Sequence, residues 1–263
     1  MIKNGLLKAM VLKLKRIILL SLIIFIPNIC FATDFTNDPN CVFAALLDET
    51  SGNCADSCGV AVGTVTGATQ NVLGKFGNAV SFDNAGDYVD WGDLTIVDGI
   101  NTATWCWWKK RQNSSGNDSI IRKDGSWTPD QTGGSEWTAT LWTTVYSPDY
   151  SMGAASQNAD NAWSHFCYTY NGTTRQAWKN GSTLGSGFGD TGNMANAASS
   201  FYLGGAAADE SYEGDLDEII IFNDVLSSTE INDLKDNGII AVSSNPPTIL
   251  LLNNVILNNA IIN

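Results

Sequence analysis

Near the end of the chain, Glu213-Gly214-Asp215-Leu216-Asp217-Glu218 places four carboxyl groups in one short run. Paired carboxylates are the groups that cleave glycosidic bonds. One protonates the leaving oxygen and the other attacks the sugar, with the two roughly 5–5.5 Å apart in a retaining mechanism. On an extended strand Glu213, Asp215 and Asp217 share a face, and Glu218 points the other way unless a bulge intervenes. In a chain with 27 acids such a string arises easily. The expectation is therefore structural, and no catalytic residue is assigned.

The chain has one histidine, His165. That excludes most histidine-based metal sites and most nucleophile–histidine triads. No serine or cysteine nucleophile context surrounds it, so a structural hydrogen-bonding role is expected. Nine tryptophans are many for 263 residues. Tryptophan stacks on a sugar face while its N–H bonds a hydroxyl. Most belong in a core, but Trp127 and Trp137 flank a polar, Gly-rich stretch and are expected to be the exposed, ligand-binding pair.

The elements that position these groups follow an export signal. Lys3, Lys8, Lys13, Lys15 and Arg16 precede an apolar run, Ile17 to Ile26, then Pro27 and a Cys30-Phe31-Ala32 cleavage site. Residues 1–32 thus read as a signal peptide, with an uncleaved anchor as the alternative. Without those five bases the charge of −13 becomes more acidic still. Such a body repels phosphate backbones, so nucleic-acid binding is excluded. Export permits disulfides. Cys41, Cys54, Cys58, Cys106 and Cys167 remain after cleavage, an odd number that leaves one thiol over. At least one bridge is expected among Cys41, Cys54 and Cys58. No second Cys/His pair completes a zinc site there. Cys106 and Cys167 sit in strand-like aromatic runs and either bridge two strands or pack as buried thiols.

Between residues 41 and 223, short apolar or aromatic runs alternate with Gly, Asn, Asp and Ser clusters, about eleven runs in all. Asn171-Gly172 and Asn180-Gly181 are hairpin signals. This punctuation predicts an all-β, two-sheet antiparallel sandwich. One short C-terminal helix is expected, from a Ser227-Ser228-Thr229-Glu230 capping box to a stop at Gly238. The organisation read here is a signal at 1–32, a domain at 33–240, and a linker with an apolar, Asn-rich tail at 241–263. The tail's apolar stretch is broken by Asn253, Asn254, Asn258 and Asn259 and is too short and polar to span a membrane.

Four segments in order carry a resemblance: Gly74–Asp83 with Asp87-Tyr88-Val89; Thr102–Lys109; Trp163–Gly172, with its W-x-H start; and Gly214–Phe222 followed by Leu226-Ser227 and Glu230-Ile231. Together they resemble the laminin-G-like jelly roll of the concanavalin A-like lectin/glucanase superfamily over about residues 41–238. The resemblance implies two antiparallel sheets with jelly-roll connections, a convex face and a concave face. The superfamily also holds laminarinase-like hydrolases whose catalytic strand reads E-x-D-x-x-E. Their motif lies mid-chain, whereas here the string falls in the last strand. Pentraxins, distant relatives, bind calcium through an Asp-Asn pair and an acidic loop. The similar places are Asn117-Asp118, in reversed order, and Asp209-Glu210, so Ca2+ is an expected ligand there, with solvated turn acids as the alternative.

The function these observations imply is a secreted, non-catalytic binding module at the cell surface or outside it. Its expected partners are glycans or, in adhesion, extracellular proteins. The alternatives are a laminarinase-like glycoside hydrolase and a structural or assembly protein.

Overall fold

Large side chains alternate along Ala103–Arg111 and Ser164–Tyr170 so that both faces of each run are apolar, and the structure buries both faces. In the computed structural model the described residues are 33–240, apart from 84–85, 113–118, 134–135, 142, 145–148, 152–160, 190 and 206–211. The expected signal and tail lie outside them.

Among the described residues the strands are β1 (Cys41–Ala45), β2 (Cys54–Ala55), β3 (Val62–Thr66), β4 (Thr69–Leu73), β5 (Asn78–Asp83), β6 (Tyr88–Asp90), β7 (Ala103–Arg111), β8 (Ser119–Lys123), β9 (Trp127–Gly133), β10 (Glu136–Leu141), β11 (Asp149–Ser151), β12 (Ser164–Tyr170), β13 (Thr174–Lys179), β14 (Ser182–Gly189), β15 (Phe201–Leu203) and β16 (Glu213–Phe222). One helix, α1 (Ser228–Asn237), follows. The first sheet runs β14-β13-β12-β7-β16-β5-β4, with β1 also paired to β16. The second runs β11-β10-β9-β8-β15-β6-β3-β2. The two form the expected antiparallel sandwich.

Its core lies between the sheets. Trp105, Trp107, Phe166, Tyr168, Leu216 and Ile219 of the first sheet share one buried cluster with Val89, Trp127, Leu141, Phe201 and Leu203 of the second. Rings fill it: Trp105 meets Trp127 across the gap at 5.5 Å, while Trp127 meets Phe201 at 5.1 Å within the second sheet and Trp107 stacks on Phe166 at 6.1 Å within the first. Such pairs add to the area they remove from water.

The turns follow local chemistry. Asn180 and Gly181 both take positive φ, as a two-residue type I′ hairpin between β13 and β14 requires. At the helix start Ser227 accepts from the Glu230 N–H while Glu230 accepts from the Ser227 N–H, the reciprocal pair expected there. Gly238, at φ +80°, ends the helix.

The cysteines resolve into two bridges, Cys41–Cys58 and Cys106–Cys167. Cys54 is free and buried. Burial, with Glu49 beside it, pushes its thiol up to about 12. The thiolate is the nucleophile, so Cys54 is expected to resist iodoacetamide in the native protein at pH 8 and to react fully in urea. Mass spectrometry reads the difference, and equal rates in both states would contradict this burial.

Candidate ligand-binding face

A two-sheet sandwich has two outward faces, and here they differ. On the outward side of the first sheet, Cys106, Cys167, Ile220 and Phe222 pack with Phe35, Leu226, Ile239 and the helix residues Ile231 and Leu234. The helix and the N-terminal segment close this part of the face.

The acidic string lies on the same side. β16 pairs with β7 through a register shift between Asp217 and Ile220, and Glu218 takes a φ of +52°. This bulge turns Asp217 and Glu218 to one side of the sheet, while Leu216 and Ile219 stay in the inter-sheet core. Both carboxylates then meet backbone. Asp217 Oδ2 accepts from the N–H groups of Lys75 (2.7 Å) and Phe76 (3.0 Å). Glu218 Oε2 accepts from the Ile239 N–H. Asp215 pairs with Lys110 at 2.9 Å.

Burial pushes the Asp217 carboxyl up to about 8, against the pull of the Phe76 N–H, with neighbouring Glu218 adding to the rise. Burial likewise raises Glu218 to about 7. These acids are held by a turn and by the chain just after α1. Buried beside them, His165 lies 5.2 Å from Trp108, and Lys75 Nζ sits 4.5 Å above the Trp108 ring. Burial, reinforced by Lys235 and Lys75, drops the imidazole to about 3. The ring is neutral in the physiological range, and the His165 N–H of the backbone is bonded by the Asn180 side chain at 2.9 Å.

The outward face of the second sheet has a different character. Phe201 and Leu203 point into the core, so Tyr202 between them points out. By the same alternation Tyr88 and Asp90 flank inward Val89. Register aligns Thr64, Asp90, Tyr202 and Arg122 directly across β3, β6, β15 and β8. Thr66 lies opposite Tyr88. The two tyrosine rings meet edge to face at 5.8 Å and are half-buried. Asp90 Oδ1 accepts from the Gly92 N–H at 2.8 Å. Arg122 reaches Asp124 through Nε at 3.0 Å and through Nη2. The row spans roughly 14 Å, three inter-strand spacings.

One buried cation fixes the rim beside this row. Lys123 Nζ, wholly buried, donates to Asp93 (2.7 Å), Asp98 (3.0 Å) and the Ala197 carbonyl (2.7 Å). Three segments of chain thereby converge on one ammonium group. A buried charge needs such partners.

Trp127 corrects an expectation. It is 1% exposed, opposite Leu141 in the β9–β10 hairpin, and its ring lies in the core. The polar stretch that suggested a loop is strand as far as Gly133, so the indole that begins it packs inward. Trp137 stands in β10 opposite Thr132, and its side chain lies outside the described residues. Asn117, Asp118, Asp209 and Glu210 also lie outside them. The sequence does not single out Tyr88, Asp90, Tyr202 or Arg122 as ligand contacts. The signal was there in part, as alternation in Tyr88-Val89-Asp90 and Phe201-Tyr202-Leu203, but only the register shows that they adjoin.

Two closely packed antiparallel sheets define the class of jelly-roll sandwiches. The chain belongs to the concanavalin A-like lectin/glucanases superfamily, whose laminin-G-type family model matches residues 83–232. No curated protein matches it in sequence.

Several solved structures share the fold. Domain 4 of AbnA, an extracellular arabinanase from Geobacillus stearothermophilus solved with arabinotriose, is 19% identical, with a TM-score of 0.59 over 75% of this chain and 98% of that one. The binding domain of Paraclostridial Mosquitocidal Protein 1 is 15% identical, with a TM-score of 0.61 over 75% of this chain and 52% of that one. Trypanosoma rangeli sialidase, solved with sialic acid, is 15% identical, with a TM-score of 0.57 over 76% of this chain and 33% of that one. The chain thus spans about half of the toxin domain and a third of the sialidase.

Proposed function

We propose that this chain is an exported, non-catalytic glycan-binding module whose ligand lies across the outward face of the second sheet. The observation that carries the reading is the cross-strand row of Thr64, Asp90, Tyr202 and Arg122, with Tyr88 against Tyr202. Tyrosine offers an apolar ring and a hydroxyl to a sugar. Carboxylate, guanidinium and threonine hydroxyl groups beside it match the donors and acceptors of a hydroxylated chain. A row of this length suits an oligosaccharide better than one ring. The arabinotriose and sialic acid in two structures of the same fold support the ligand class. Two disulfides support export. No described helix is long and apolar enough to cross a membrane.

A hydrolytic role fits less well. Asp217 and Glu218 accept backbone N–H bonds and are covered by chain, while a catalytic pair must face substrate.

A glycan array, run with calcium and with chelator, tests the reading. Selective, saturable binding is expected. Tyr202→Ala should weaken it at least about tenfold, ~1.4 kcal/mol, while the protein stays folded with its thermal midpoint lowered by the loss of the Tyr88 ring contact. Dependence on calcium would assign a role to Asn117, Asp118, Asp209 and Glu210. An array with no selective binding would move the function to protein adhesion. No reducing sugar should be released from laminarin or mixed-linkage glucan. Release that vanishes in Glu213→Gln would make the protein a hydrolase.

A further inference from the structure

We propose that Cys106, Cys167 and His165 form a dithiolate–imidazole site for a monovalent copper ion when the disulfide between the two cysteines is opened. The placement comes from register. Cys106 on β7 stands directly opposite Cys167 on β12, with Cα atoms 4.2 Å apart. His165 lies two residues before Cys167 and therefore on the same face. Its ring nitrogens are 3.8 Å (Nε2) and 4.0 Å (Nδ1) from Cys167 Sγ. The two sulfurs and one ring nitrogen all fall within 4.8 Å of one another. Metal–sulfur and metal–nitrogen bonds of about 2.3 and 2.0 Å, set 120° apart, place sulfur and nitrogen about 3.7 Å from each other. The ring already stands at that spacing.

The donor set and its surroundings select the ion. Thiolates are soft ligands and suit Cu+. No other His, Cys, Asp or Glu joins the cluster among the described residues. Three donors in a dry site fit a trigonal d10 ion, while structural Zn2+ takes four. All three residues are at least 98% buried, among Ile220, Phe222 and the helix residues Ile231 and Leu234. Two thiolates and Cu+ leave one net negative charge. The ammonium groups of Lys75 and Lys235 act on the His165 ring from nearby and offset it.

The chemistry balances with a dithiol as reductant. Two electrons and two protons pass to the disulfide, giving two thiols, and the dithiol closes to a cyclic disulfide. Cu+ then displaces up to two protons from sulfur, and the imidazole contributes its lone pair. No oxidation state of copper changes.

The test is an anaerobic titration of full-length protein. Protein is reduced with dithiothreitol, desalted, and mixed with Cu+ held as its bicinchoninate complex, whose colour reports withdrawal of the ion. Because the dithiol opens the Cys41–Cys58 bridge as well, every protein in the titration carries Cys41→Ala with Cys58→Ala; reduced, this parent should take one Cu+ per chain, and oxidised none. His165→Gln is made with the disulfide intact, and its fold is checked by circular dichroism before reduction. It should bind at least tenfold more weakly. Adding Cys106→Ser with Cys167→Ser to that parent should abolish the site, while Cys54, present throughout, sets the background. Only where Cys106, Cys167 and His165 are all present should Cu+ raise the thermal midpoint of the reduced protein.

Three results would overturn the proposal: equal Cu+ uptake by reduced and oxidised protein, equal affinity in His165→Gln, or a disulfide that the dithiol cannot open in the folded chain. Tighter binding of Zn2+ than of Cu+ would overturn the assignment to copper.

Discussion

Replacing Cys106 and Cys167 together by alanine is expected to lower the unfolding free energy by about 4 kcal/mol, and replacing Cys41 and Cys58 by about 3 kcal/mol. The difference comes from the unfolded chain. The first bridge closes a loop across 61 residues and the second across 17. A longer loop loses more conformational freedom when it is closed. The folded state pushes the same way. Cys106 and Cys167 pack in the apolar layer under the helix, so truncating both also leaves a small cavity. Cys41 is only half-buried and its bridge ties β1 to the loop after β2.

Domains of this size typically hold about 5–15 kcal/mol. Both double variants should therefore fold at room temperature, with clearly lower urea midpoints and similar slopes. Equal losses, or a greater loss at Cys41–Cys58, would show that the chain-entropy account fails for this sandwich. A loss of cooperativity in the Cys106 and Cys167 variant alone would show that this bridge also holds β7 and β12 in register.

How much of this was legible beforehand depended on burial. Strands with two apolar faces, such as β7 and β12, announce themselves because most of their residues are large or β-branched. The helix was readable from its cap, because Ser227 and Glu230 satisfy each other locally whatever packs nearby. Edge strands were not. β14 reads Ser-Thr-Leu-Gly-Ser-Gly-Phe-Gly and is largely exposed; its composition is that of a loop, and only pairing to β13 makes it a strand. β9 contains Pro129 between polar residues, and its composition is that of the loop expected between an exposed Trp127 and Trp137.

The bulge in β16 shows the same limit at the candidate site. Strict alternation put Asp217 and Glu218 on opposite faces. One extra residue, at positive φ in Glu218, moved both to the same side. Nothing in the residue types specifies that bulge. It follows from two long-range contacts, Asp217 to the Lys75–Phe76 turn and Glu218 to Ile239. The row across the second sheet was illegible for a related reason: Tyr88 and Tyr202 are 114 residues apart and meet only through strand order.

The pH dependence of stability is the second large effect, and it rests on those same acids. Stability should peak in mildly acidic solution, near pH 4–5, and fall toward pH 8. Folding raises Asp217 from 3.8 to about 8 and Glu218 from 4.5 to about 7, in both cases mainly by burial. Between their unfolded and folded values the native state holds two protons that the unfolded chain has released, so stability falls as pH rises. Asp87, also raised by burial, acts with the same sign.

His165 works the other way. Burial lowers it from 6.5 to about 3, so below 6.5 the unfolded chain binds a proton that the native state refuses. Its contribution is lost as pH falls. From pH 4.5 to 6.5 two released protons outweigh one taken up, and the net is a loss of about 1.4 kcal/mol per pH unit. Above pH 6.5 histidine no longer opposes the acids and the fall steepens, until Glu218 and then Asp217 ionise in the native state as well.

Asp217→Asn separates this cause from any general effect of net charge. The amide oxygen still accepts from the Lys75 and Phe76 N–H groups, but the group no longer titrates. The new NH2 takes the place of Oδ1, a buried oxygen that meets no hydrogen-bond partner among the described residues. It adds a penalty of about 1–3 kcal/mol that is the same at every pH. The variant should therefore be no more stable than wild type at pH 4, and its stability should be flat from pH 4.5 to 6.5, where wild type declines. Urea midpoints measured across that range decide the matter. Parallel curves for the two proteins would mean that Asp217 is ionised in the folded chain and that the slope arises elsewhere.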